Sequence, residues 1–141
     1  MLLDISRYRK HKIIKSEIAW KILKGIISKM DIFEKEKEHL FVIGLTASNH
    51  IKYIDLVSTG SLKGTVAEPR EIYRNAVFHG AACIIVGHNH PSNNCTASDS
   101  DKRLTERLVS AGKILDITLV DHIIICEKEH FSFANEGLLF S

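Results

Sequence analysis

Two short, unbroken apolar runs, Leu40-Phe41-Val42-Ile43 and Ala82-Cys83-Ile84-Ile85-Val86, set the strongest limit on how this chain can fold. A strand with one wet face alternates polar and apolar residues, so runs without alternation imply strands covered on both faces, with helices packed on a central sheet. The sequence around them supplies those helices. Ser16 is placed to cap a helix over 16–30, whose residues Ile18, Ile22, Leu23, Ile26, Ile27 and Met30 share one face. The polar stretch 34–39 leads into the first strand. Ala47-Ser48-Asn49-His50 turns it, and a second strand over 52–57 pairs with it. Glu68-Pro69-Arg70-Glu71 opens a helix that Gly80 closes. The strand over 82–86 runs into His88-Asn89-His90-Pro91 and a Ser- and Asn-rich loop. A helix over 98–111 follows, with Gly112 as its stop, and then strands over 118–126 and 131–133. The sequence predicts an α/β fold with a mixed β-sheet flanked by helices.

At 141 residues and 15.9 kDa the chain has room for a single domain. Residues 16–141 form that domain in this reading. Residues 1–15 form a basic N-terminal segment, with Arg7, Arg9, Lys10, His11, Lys12 and Lys15, expected to be solvated or mobile. No run approaches the ~20 apolar residues of a membrane span, and Met1-Leu2-Leu3-Asp4 does not open a signal peptide. Three widely spaced cysteines, Cys83, Cys95 and Cys126, fit free thiols and a cytoplasmic location. A net charge of +2 offers nucleic acid no broad basic face.

The chemistry is concentrated between residues 88 and 101. In extended chain, alternate side chains point the same way, so His88 and His90 converge while Asn89 faces away. Asp101, in the first turn of the next helix, can reach back to them as a carboxylate ligand. Two histidines and one carboxylate leave the fourth position of a tetrahedral Zn²⁺ to water, and bound zinc lowers that water's pKa to about 7. A competing reading makes Ser98-x-x-Asp101 a capping box that serves only backbone donors. A zinc deaminase is excluded, because His-x-Glu and Pro-Cys-x-x-Cys are both absent.

His88-x-His90-Pro91, seven intervening residues to Ser98 and then x-x-Asp101 resemble the JAMM (MPN-plus) metalloprotease motif. The stretches Pro69-Arg70-Glu71-Ile72-Tyr73, Ala81 through Ser92, Asp121-His122-Ile123-Ile124-Ile125 and Phe131-Ser132-Phe133 are similar to the RadC family of bacterial JAB-domain proteins. The resemblance covers roughly 17–139. It implies a JAB/MPN fold related to cytidine deaminases and a zinc-dependent metallohydrolase acting on a peptide or isopeptide substrate. The alternatives are a metal-dependent nuclease and a non-enzymatic binding or scaffold module; the family's DNA-repair label names no chemistry. Longer family members carry an N-terminal helix-hairpin-helix region, for which the residues ahead of the first strand leave no space.

The family also uses a glutamate near the first strand as general base, which the resemblance carries onto Glu38 in preference to Glu34, Glu36 and Glu71. Ser98 is carried over as the residue that steadies the reacting oxygen by hydrogen bonding. Where the family has Gly and Pro, this chain has Asn93 and Ala97, neither of them a ligand. Cys95 reads as a surface thiol, and the Asp121-His122 pair is open between a support for the site and a strand-end polar contact.

Overall fold

A computed structural model describes residues 1–60 and 67–140. In chain order the elements are α1 (Ser16–Ser28), α2 (Ile32–Lys35), β1 (Glu38–Leu45), β2 (Ile51–Gly60), α3 (Pro69–His79), β3 (Cys83–Asn89), α4 (Asp99–Leu115), β4 (Thr118–Ile125) and β5 (His130–Ser132). The strands form one mixed sheet in the order β2-β1-β3-β4-β5. β3 and β4 are parallel, joined through α4, and the other neighbouring pairs are antiparallel. Among the described residues no helix is long and apolar enough to cross a membrane.

Both apolar runs are covered on both sides. Phe41 and Ile43, with Ile85 and Ile123, face Ala19, Ile22 and Leu23 of α1. The alternate residues Leu40, Val42, Ile84 and Val86 face Ile72, Tyr73 and Ala76 of α3 and Leu108 of α4. The register Leu40↔His88 continues the second set, which places His88 at the α3 and α4 side of the sheet.

Four local expectations are corrected. Ser16 does not cap α1: Lys15 holds the N-cap position without a side-chain bond, and the Ser16 hydroxyl pairs with His130 Nε2 at 2.9 Å. β3 does not end with its apolar run but continues through His88 and Asn89, because pairing to Leu40 and Ile125 requires only backbone. Gly112 does not stop α4, which runs to Leu115 and ends at Asp116 in the left-handed region (φ 57°). The basic segment 1–15 exposes its charged residues together with Met1, Leu2 and Ile14, but it is anchored: Ile5 and Ile13 are buried in the core, and bridges Leu2↔Asp55 and Lys12↔His50 hold it against β2 and the turn before it.

Gly112 has a packing role instead. A Cβ there would press on the Ile117 carbonyl oxygen and lie 2.6 Å from the Tyr73 hydroxyl, which is itself committed to the Leu108 carbonyl at 2.8 Å. Gly112→Ala is expected to destabilise the fold by about 1–3 kcal/mol through overpacking. Gly25→Ala, within α1 where no atom lies within 4 Å, should stabilise it by about 0.5–1 kcal/mol. Denaturant unfolding of the two variants checks both signs.

Candidate metal centre

β3 delivers His88 at its end and His90 just beyond, and the first turn of α4 delivers Asp101. His88 is fully buried, Asp101 is 4% exposed, and the His90 side chain is 15% exposed. His88 Nε2 lies 3.2 Å from Asp101 Oδ1, His90 Nε2 lies 3.4 Å from Asp101 Oδ2, and the two Nε2 atoms are 3.0 Å apart. Among the described residues these three form the group able to hold a metal ion, with one ligand atom of each within 4.8 Å of the others. Cys95 is outside it, its thiol directed at the Ile124 and Glu129 carbonyls.

The hydrogen bonds around the group assign its tautomers. Thr105 Oγ1 donates its proton to the Asp101 carbonyl (2.8 Å), so it can only accept from His122 Nδ1–H (2.6 Å). His122 Nε2 then accepts from His88 Nδ1–H (2.9 Å), which leaves the His88 Nε2 lone pair directed inward. His90 Nδ1–H donates to the Asn94 carbonyl (2.8 Å), with the same consequence for its Nε2. Two nitrogen lone pairs and a carboxylate thus converge with no donor among them, an arrangement that requires a cation or an added proton at its centre. The donor set fits zinc.

Electrostatics agree with this geometry. Burial drives the His122 pKa well below its ordinary value and keeps that ring neutral, as its accepting role demands. Burial alone would raise the Asp101 pKa, but with an added proton on the rings the hydrogen bonds that His88 and His90 then donate and their charge hold it far below the carboxylate range. The hydrogen bond with Asp101 raises the His90 pKa against the effect of burial.

The capping box is also present. Ser98 Oγ accepts the Asp101 N–H (3.1 Å) and Asp101 Oδ2 accepts the Ser98 N–H (2.9 Å), while both carboxylate oxygens face the histidines. The cap and the ligand are the same conformation. Asn93, standing where the family pattern has Gly, has φ 61°, a left-handed geometry that Asn tolerates better than other side-chain-bearing residues, and its Oδ1 accepts the Glu127 N–H.

A cavity of about 670 Å³ opens over the group, with Glu38, His90, Ser98 and Asp101 in its walls. Extending the β1–β3 register two residues past Leu40↔His88 sets Glu38 opposite His90, whose protonation its charge favours. Of the other glutamates considered, Glu36 lines the same cavity, Glu34 is paired with Lys37 (2.9 Å), and Glu71 lies on α3 outside the cavity walls. His122 and Thr105 are the supporting residues that sequence reasoning did not assign. Asp121-His122 was the only signal for the first, and the pair divides: Asp121 turns away to accept from Ser132 Oγ (2.6 Å) and the Ala134 N–H (3.0 Å).

Comparison with known proteins gives a consistent result. A family model described as RadC-like JAB domain matches residues 15–138. A protein of Chlorobium chlorochromatii named UPF0758 protein is 39% identical over 125 residues, covering 83% of this chain and 56% of the relative. UPF0758 protein YeeS of Escherichia coli is 39% identical over 104 residues, covering 74% and 70%. A UPF0758 protein of Flavobacterium johnsoniae is 35% identical over 127 residues, covering 90% and 53%. The chain spans about half the length of most of the curated relatives it matches.

Two outcomes follow for metal binding. His122→Ala releases the His88 ring from its fixed tautomer and should weaken metal affinity about 10–100-fold, read by competition with a chromogenic chelator. Protons compete for the imidazoles, and the hydrogen bond with Asp101 makes the His90 ring the more readily protonated, so metal should be retained at alkaline pH and released as pH falls. Asp101, held ionised, should not govern that release, and the metal remaining after dialysis across a pH series reads the midpoint.

Proposed function

The chain belongs to the RadC-like JAB domain family, and we propose that it is a zinc-dependent metallohydrolase that cleaves peptide or isopeptide bonds. The convergence of two histidine lone pairs and a carboxylate beneath an open cavity carries this reading. The five-stranded mixed sheet flanked by helices fits the JAB/MPN fold. Zinc held by His88, His90 and Asp101 would supply a Lewis acid and a water acidified to near neutrality.

The remaining roles fall to the cavity walls. Glu38 takes the proton from the attacking water and returns it to the departing amine. Ser98 Oγ already accepts from the Asp101 N–H, so its own proton is available to donate to the developing oxyanion. A phosphodiester would bring its charge against Glu36, Glu38 and Asp101, with Lys37 the one Lys or Arg among the described residues of the cavity wall, which favours a peptide over a nucleic-acid substrate. Three free cysteines suit a reducing, cytoplasmic setting.

The purified protein should hold about one zinc per chain. Glu38→Gln should keep that zinc and lower turnover ~10²–10⁴-fold in a screen of released amines, Asp101→Ala should lose both metal and activity, and Glu71→Gln should change neither. Zinc bound without any hydrolysis would instead point to a scaffold.

A further inference from the structure

Asn89 stands between the two histidine ligands, and neither the metal geometry nor the proton transfer uses it. It is 5% exposed, and its side chain leaves β3 on the face opposite His88. Both ends of its amide are engaged: Oδ1 accepts the His39 N–H at 2.6 Å and Nδ2 donates to the Lys37 carbonyl at 3.0 Å. Those are the backbone groups of the two residues flanking Glu38.

The regular β1–β3 pairing ends at Leu40↔His88, so the residues carrying Glu38 lie beyond it. There the Asn89 amide takes the place of a peptide group, with one donor and one acceptor at peptide-like spacing. Asp would offer no donor to Lys37, and Ser is too short to reach both groups. We propose that Asn89 is a positioning residue for the general base, fixing the backbone at 37–39 so that Glu38 faces the point where His88, His90 and Asp101 converge. This rests on reading Glu38 as that base. The same strand end therefore presents the ligands on one face and holds the base through the other.

The test loads the full chain with Co²⁺ alone and follows the pH midpoint of its visible absorption, a readout of ionisation beside the metal that needs no substrate. Wild type is compared with Glu38→Gln, Asn89→Ala, Asn89→Ser and the double variant Glu38→Gln/Asn89→Ala, each checked by circular dichroism and for bound cobalt. Glu38→Gln removes a negative charge, so its midpoint should fall by about one unit. The Asn89 variants should keep one cobalt per chain and shift the midpoint the same way. In the double variant the Asn89 change should add nothing beyond Glu38→Gln. An unmoved midpoint in both Asn89 variants, an equal Asn89 shift with and without the Glu38 carboxylate, loss of cobalt, or unfolding of both variants would each overturn the proposal. An unmoved midpoint in Glu38→Gln would overturn the assignment of the base itself.

Discussion

The hydrogen bond from His88 to His122 joins the two parallel strands at the centre of the sheet, and the arrangement of the site depends on it. Both rings are fully buried, where an unsatisfied imidazole nitrogen costs about 1–3 kcal/mol. The chain of partners is closed at each step, through Thr105 to the Asp101 carbonyl. α4 is thereby tied to β3 and β4 by the residues that orient the ligands. Phe133 stacks on His122 at 4.8 Å and limits how the ring can turn.

The opposite wall of the centre uses the start of a helix. A capping carboxylate must turn back over the first turn to reach its backbone donor, which points its remaining lone pairs off the end of the helix, toward the histidines here. Favouring the cap over the ligand, or the reverse, poses a choice that the geometry does not impose. The same economy holds at Ser98, whose oxygen caps the helix while the residue forms part of the cavity wall.

The sheet was legible because covered strands leave unbroken apolar runs, and the candidate ligands were legible because all three lie within fourteen residues of one another. Element ends were harder to place. His88 and Asn89 end an apolar run without ending a backbone ladder, and Gly112 resembles a helix stop although its missing side chain serves a close contact with Ile117 and Tyr73. The supports of the site were hidden for a different reason. His122 reaches His88 only through the parallel register of β3 with β4, and Asn89 reaches 37–39 across fifty residues of sequence, so no local spacing announces either pair. The basic N-terminal residues drew attention to their charge, while the two isoleucines among them, Ile5 and Ile13, determine where the segment lies.

That placement bears on how the domain behaves in a crowded solution. β2 is an outer strand of the sheet, and an outer strand with open backbone groups is a template for strands of other molecules. The N-terminal segment occupies part of that rim: the Leu3 N–H bonds the Ile54 carbonyl, the Leu56 N–H bonds the Met1 carbonyl, and the Ile13 N–H bonds the Asn49 carbonyl. Its lysines and arginines then face outward along the guarded stretch. A protease that clipped the first fifteen residues would leave the chemistry of the site in place and expose an adhesive edge, so loss of this segment would first register as self-association.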